Sequence, residues 1–471
     1  MEWDVKSTNA MPAARQTGWS AWVMRAAMTI AAVVPIMAAG GPAALAQQTP
    51  TAPTSTVLPP ATPTPSTQAA PSPATPAAPP PGLWIDGVHF YGQLDAGIMG
   101  NPSGPADSLN FGRLFDDRAN QVQLNQLLLT ANKPLDPKNS DYQWGFKVQF
   151  MYGSDARYTQ FLGELNRVDP NQRYQLDVVE ANVLAHLPWL TSGGIDVKAG
   201  QYPTPLGYET IDPSTNPFYS HSYIFNFAAP FKQTGLLAVT HVNDVLDIYS
   251  DIDTGTNTTF GPLGDNNGAI GGIGGFNLTL LGGNLTVLAL THFGPDQATR
   301  LLSPLGVNAN GQWRFYNDLV VTYKASDALT LVTETAWARD GYGAVGKPAN
   351  AIGVAQYASY SLTDTLTLNG RIEYFRDDNN FFVASFPSNS APVLAQQGFA
   401  PFVHVAPGTN TTYGEMTIGV TWKPALPAPI TGLAIRPEVR WDHAFTNNNP
   451  FNAQMDNNAV TLGVDAVLTV F

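Results

Sequence analysis

Beyond residue 82, apolar and polar side chains alternate along the chain with a period of two. Tyr142, Trp144, Phe146, Val148, Phe150 and Tyr152 share one phase; Gln143, Gly145, Lys147 and Gln149 share the other. Val88, Phe90, Leu94, Ala96 and Ile98 stand against His89, Tyr91, Gln93 and Asp95 in the same way. The pattern returns in Leu366, Leu368, Ile372 and Tyr374 against Thr367, Asn369, Arg371 and Glu373. It returns again in Met416, Ile418, Val420 and Trp422 against Glu415, Thr417, Gly419 and Thr421. Successive side chains of a strand point to opposite faces, so each phase is one face of a strand. Sixteen strands are predicted, centred near residues 92, 126, 147, 180, 198, 238, 248, 275, 289, 320, 333, 356, 371, 418, 438 and 465.

The connections decide the architecture. Short links are expected near 132–141, 188–194, 242–244, 282–283, 326–327, 363–365 and 423–432. Long ones are expected near 100–120, 153–172, 202–233, 253–267, 294–312, 338–350, 376–411 and 442–458, and the two kinds alternate strictly. Up-and-down strands with short turns at one end and long loops at the other predict an all-β, transmembrane antiparallel β-barrel. A soluble sandwich has no reason to sort its loops this way.

Charge placement agrees. Asp95, Lys147, Asp196, Lys198, Asp247, Glu334, Arg371, Glu373, Glu415, Arg436, Glu438, Arg440 and Asp465 all fall on the polar face of their strands and are candidate pore-lining residues. An Arg or Lys on the lipid face costs roughly 2–4 kcal/mol at the bilayer midplane, which explains an uncharged outer face. Adding Asp177, Glu180, Asp251 and Lys324 gives eleven acidic against six basic inward candidates, from which a mild cation preference is expected. Interleaved pairs such as Arg371 with Glu373 would cancel part of it. Tyr142, Trp144, Tyr152, Trp337, Trp422 and Trp441 gather near strand ends, where rings suit the headgroup level, although aromatic residues favour strands in any case.

Composition narrows the class further. Only 13% of the 471 residues are charged, against about 25% in ordinary soluble domains. The net charge of −13 argues against nucleic acid, which needs a basic surface. The chain has no Cys, so disulfides, thiolate metal sites and Cys nucleophiles are excluded.

The first 46 residues read as a signal peptide, with Arg25, an apolar stretch over Ala26–Ala39 and cleavage after Ala44-Leu45-Ala46. A membrane anchor is the alternative, disfavoured by the shortness of the apolar stretch and by Pro35. The long polar leader leaves Met11 and Met24 open as starts. Removing residues 1–46 takes away Lys6, Arg15, Arg25, Glu2 and Asp4, so the mature charge is −13 − 1 = −14. Residues 47–82 hold twelve prolines and no charge, and read as a disordered periplasmic linker preceding a barrel over 83–471.

The segment GQYPTPLGYETIDPSTNPFYSHSYIFNFAAPFKQTGLLA, Gly200–Ala238, carries a resemblance. Gly200, Tyr202, Thr204, Pro205, Gly207, Tyr208 and Glu209, then Asn216, Pro217, Tyr219 and Ser220, then Thr234 and Gly235 resemble the OmpL-like outer-membrane β-barrel porin family. The resemblance implies a water-filled channel for passive diffusion of small hydrophilic solutes, and trimers are common among such porins. The terminal Phe471 resembles the signal read by the barrel assembly machinery, although it is out of phase with Val460, Leu462, Val464, Ala466, Leu468 and Val470.

The stretch 202–233 is the third long loop, and a loop of that length needs its own packing or a job. One expectation is that it folds inward and constricts the pore, with Glu209 and Asp212 near the passage. The alternative is a lid outside the mouth or against a neighbouring protomer. The seven His residues show no H-x-x-x-H or H-E-x-x-H spacing, no Ser sits in G-x-S-x-G, and the glycines of 271–275 lack a dinucleotide-binding context. No cofactor, metal or catalytic residue is therefore expected, although Asp377 and Asp378 are a weak calcium candidate. Two other readings share the fold: a structural or adhesive barrel with a plugged lumen, and an outer-membrane hydrolase.

Overall fold

A computed structural model describes residues 82–136, 139–400 and 402–471. The expected signal peptide and, but for Gly82, the Pro-rich linker lie outside the described residues. The described chain opens with a three-residue strand, β1 (Leu83–Ile85), hairpinned to β2 (Val88–Gly100). The turn is Asp86-Gly87, with φ of 49° and 79°, the positive pair that a two-residue hairpin of matching twist requires. This strand was not expected from the alternation, because three residues are too few to show one.

Fifteen further strands follow. They are β3 (Val122–Lys133), β4 (Gln143–Gly153), β5 (Gln175–Leu187), β6 (Ile195–Pro203), β7 (Lys232–His241), β8 (Leu246–Asp253) and β9 (Gly272–Leu280). Then come β10 (Leu285–Pro295), β11 (Trp313–Lys324), β12 (Leu329–Asp340), β13 (Ala349–Thr363), β14 (Leu366–Asp377), β15 (Thr411–Trp422), β16 (Ile430–Ala444) and β17 (Asn458–Val470). From β2 to β17 each strand pairs antiparallel with the next. The last pairs with the first, from Leu462↔Gly100 to Val470↔Gly92, and closes a sixteen-stranded barrel. Every predicted strand centre falls inside its strand. Closure leaves no sheet edge, the condition for a β structure in lipid.

Long loops L1 (101–121), L2 (154–174), L3 (204–231), L4 (254–271), L5 (296–312), L6 (341–348), L7 (378–410) and L8 (445–457) share one end of the barrel, and short turns share the other. L6 is the shortest of the eight. In outer-membrane barrels the short turns are periplasmic.

The two strand faces have different fates. On β15 the outward Met416, Ile418 and Trp422 are exposed to the lipid side, while the inward Glu415 and Thr417 are buried. Lys133, Arg339 and Arg376 take the outward phase, and each stands within two residues of a strand end, where it reaches the interface. The glycine-rich β9 is a full strand. Gly275 adopts φ +153° with its missing Cβ 2.1 Å from the Ala289 carbonyl, so only glycine lets β10 approach so closely.

The core lies inside the barrel. Phe115 of L1 is packed by Tyr158 of L2 and by His221, Phe225 and Phe231 of L3, with ring centroids 5.2–5.8 Å away. Loops from the long-loop end thus descend into the lumen and supply its apolar filling.

Candidate functional site: the third loop and the inner wall

L3 is built to hold one shape. Asn216 brackets Thr210 from both sides, accepting from Thr210 N at 2.9 Å and donating to Thr210 O at 2.7 Å. Asp212 caps a short turn through Ser214 N at 2.9 Å, and Ser222 caps the helical turn α1 (Tyr223–Phe227) through Phe225 N at 3.0 Å. Glu209 crosses the loop to accept from Ser222 N at 3.0 Å and contacts His221 Nδ1 at 2.9 Å. The motif positions Glu209 and Asn216 are thus braces of the loop.

The inner wall then grips that loop through main-chain groups. Glu334 on β12 accepts from Tyr208 N at 3.0 Å, and Glu373 on β14 accepts from Tyr223 N at 2.7 Å and Ile224 N at 2.9 Å. Glu438 on β16 accepts from Tyr219 N at 2.9 Å and Ser220 N at 3.2 Å. On the same strand Arg436 donates to Pro213 O at 2.6 Å and Asn216 O at 2.8 Å, and Arg440 donates to His221 O at 2.6 Å. Arg371 donates to Ser220 O at 2.9 Å and pairs with Glu209 at 2.6 Å. Hydrogen bonds to charged groups are worth about 1.5–3 kcal/mol each and are not additive, so the loop is held firmly.

These charges are buried, and opposite signs compensate one another. Glu209, Arg371 and Glu415 form a chain that continues through Arg440, Asp442 and Arg113 of L1 to Asp116. Arg436 pairs with Asp465, and Asp95 is buried on the neighbouring strand β2. Glu334, Arg371, Glu373, Glu415, Arg436, Glu438, Arg440 and Glu209 therefore lie beneath or within L3 as struts, out of contact with open water. Such buried pairs hold only if both partners stay, since a lone charge is very costly.

A different set of candidates keeps partial exposure. Lys147 and Lys198 share Glu180, at 2.8 and 3.2 Å. Asp196 contacts His186 at 2.6 Å and His241 at 3.2 Å, and Asp247 contacts His241 at 2.7 Å. Asp212 accepts from Gln93 of β2 at 2.9 Å. Glu209 and Asp212 are thus parted by burial: the first faces Arg371, the second the rim of the loop.

Part of the inner wall escaped the alternation. Leu237, Ile273, Leu290, Val320 and Val332 point inward on β7, β9, β10, β11 and β12 and are buried. Here both phases are apolar, so period two falls silent. Runs such as Leu285–Leu290 carry the signal of a strand buried on both faces. Asp377 accepts from Phe381 N, Phe382 N and Val383 N, and Asp378 pairs with Arg376, so these two carboxylates are occupied separately. Phe471 lies beyond β17 at φ +70°, with its N–H donating to Pro429 O at 3.0 Å.

At the loop end, burial alone would raise the Asp117 carboxyl of L1, but the Arg157 and Arg173 guanidinium groups of L2 hold it at about 2. This ion cluster ties the two loops above the barrel.

A closed sixteen-stranded barrel with sorted loops and an inward third loop defines an outer-membrane channel fold. Residues 87–470 match the family described as "Putative beta-barrel porin-2, OmpL-like", and the chain belongs to it. That family and this fold imply the bacterial outer membrane. None of the curated proteins matches the sequence. Among solved structures, OmpF of Salmonella typhi in complex with daunomycin is similar at 10% identity and TM-score 0.50, over 82% of this chain and 99% of that one. The anion-selective porin from Comamonas acidovorans is similar at 10% identity and TM-score 0.50, over 81% and 99%. The outer membrane channel DcaP of Acinetobacter baumannii is similar at 13% identity and TM-score 0.48, over 83% and 99%. At such identities the likeness concerns the fold.

Proposed function

We propose that this protein is a diffusion porin for small hydrophilic solutes, with L3 narrowing the lumen and a mild preference for cations. The observation that supports it is the gripping of L3 against β12–β16, while Lys147, Asp196, Lys198 and Asp247 on β4, β6 and β8 keep partial exposure. Lys147 and Lys198 share the single carboxylate of Glu180 and Asp212 lies within the field of Lys147, whereas Asp196 and Asp247 pair only with His among the described residues, so two lysines stand against four carboxylates. The uncompensated charge along this wall is negative, which favours cations. No step of this function breaks a bond; width and field do the selecting.

Single-channel conductance and reversal potential in a salt gradient test the reading. Stable open steps with a cation-directed reversal potential are expected, and the variant carrying D196N, D212N and D247N should move that potential toward zero. Steps with an anion-directed potential would remove the charge argument and leave the porin. The extent to which L3 and L1 fill the lumen favours a second reading, a plugged barrel that works through its loops, and a folded but silent protein would establish it. Cleavage after Ala46, recognition of Phe471 by the assembly machinery and a homotrimer belong to the porin proposal. Amino-terminal sequencing is expected to begin at Gln47, and crosslinking in the membrane to stop at three copies.

A further inference from the structure

A cavity of about 280 Å³ lies at the long-loop end. L3, L4, L5 and L7 and the top of β11 enclose it, with Leu114 from L1 and Tyr158 from L2, so six loops and a strand converge there. Its walls are aromatic: Phe227 and Phe231 from L3, Tyr316 from β11, and Phe382, Phe386 and Phe402 from L7 line it. Concave, mainly apolar cavities with a few placed polar groups are the usual form of a small-molecule site.

The polar groups show which charge suits it. Asp296 lines the cavity, is buried, and accepts only from the neutral Thr256 N and Oγ1, at 3.1 and 3.2 Å. It makes no ion pair with a described residue. A buried carboxylate normally finds a cation at contact distance; Asp296 has none among the described residues and feels only the longer-range charges of Arg314 and His292. Arg314 also lines the cavity, but Asp340 takes its Nε at 2.7 Å and Nη2 at 2.6 Å, which cancels its charge. His404 donates Nδ1–H to Val383 O at 3.2 Å, and burial holds its imidazole below the usual range, hence neutral at pH 7. Gln396 adds a buried Oε1 without a hydrogen-bond partner, a further acceptor.

We propose that this cavity binds a small organic cation bearing an aromatic ring, with the ring among the phenylalanines and the positive group at Asp296. Ring faces attract cations, and the attraction grows when water is excluded. The neutral and anionic alternatives lack a partner for the Asp296 charge. The site would gather such a solute at the cell surface side of the lumen.

Calorimetry on the detergent-extracted protein tests this with benzyltrimethylammonium as probe and phenylacetate as its anionic match. Saturable binding of the cation alone is expected, with D296N weakening it at least about tenfold and Phe402→Leu weakening it by a similar or smaller factor. No saturable binding of benzyltrimethylammonium, or phenylacetate bound equally well, would overturn the proposal. Unchanged affinity in both variants would do the same. If D296N does not fold, the decision falls to Phe402→Leu and the cation–anion comparison. Binding is read without conduction, so a silent barrel that binds sinks only the porin reading. A conducting barrel that does not bind sinks only this one.

Discussion

Arg371 joins the Glu209 and Glu415 carboxylates and donates to the Ser220 carbonyl, all out of water. Replacing it by Ala strands two buried carboxylates, and the barrel should lose about 3–5 kcal/mol. Urea titration of the heat-resistant form on gels would show it, and adding E209Q and E415Q should restore much of the loss. Asp117 makes a pH prediction. Its folded value of about 2 lies below the ordinary 3.8, so its contribution is complete above the ordinary value and fades as pH falls through about 2. Protease cleavage in L1 should therefore be slow at pH 5 and rise toward pH 2.5 with an acid-stable protease, and D117N should be cleaved readily at both.

At the scale of elements, the fit of L3 to its wall rests on inward glycines as much as on charges. A Cβ at Gly353 on β13 would lie 2.4 Å from Ile224 Cγ1, and one at Gly97 on β2 would lie 2.8 Å from Tyr219 Cζ. These glycines are sockets for loop side chains. Gly353→Val should push Ile224 and the helical turn off the wall, and in the porin reading it should raise single-channel conductance. Gly370→Val on β14 serves as the control, since nothing lies within 4 Å of its added Cβ. Equal conductance in both variants would show that L3 does not set the width.

At the scale of the whole molecule, the outer surface answers to lipid. Ile418 is exposed in the middle of β15, and Ile418→Arg should cost about 2–4 kcal/mol and lower the folded yield in lipid vesicles. The neighbouring Thr417 faces inward, where polar groups are already met. Closure also explains how a chain so poor in charge stays ordered: each of the sixteen barrel strands has two neighbours, and the loops fold back into the barrel to complete its core.

The alternation, together with the apolar runs and the turn residues between them, determined the sixteen strands, their order of long and short connections and which face carries most of the charge. These follow from a local rule, side chains pointing to opposite faces of a strand, that any short window displays. The length of L3 marked it as a loop needing its own packing or a job. What only the tertiary structure decided is which inward charges meet water. Arg371 and Lys147 look alike in sequence, yet one lies beneath L3 and the other beside the open wall. Their difference depends on contacts with residues such as Glu209, 162 positions away from Arg371, which no local pattern records. The aromatic cavity was hidden for the same reason: its rings come from L2, L3, L7 and β11, which meet only when the barrel closes.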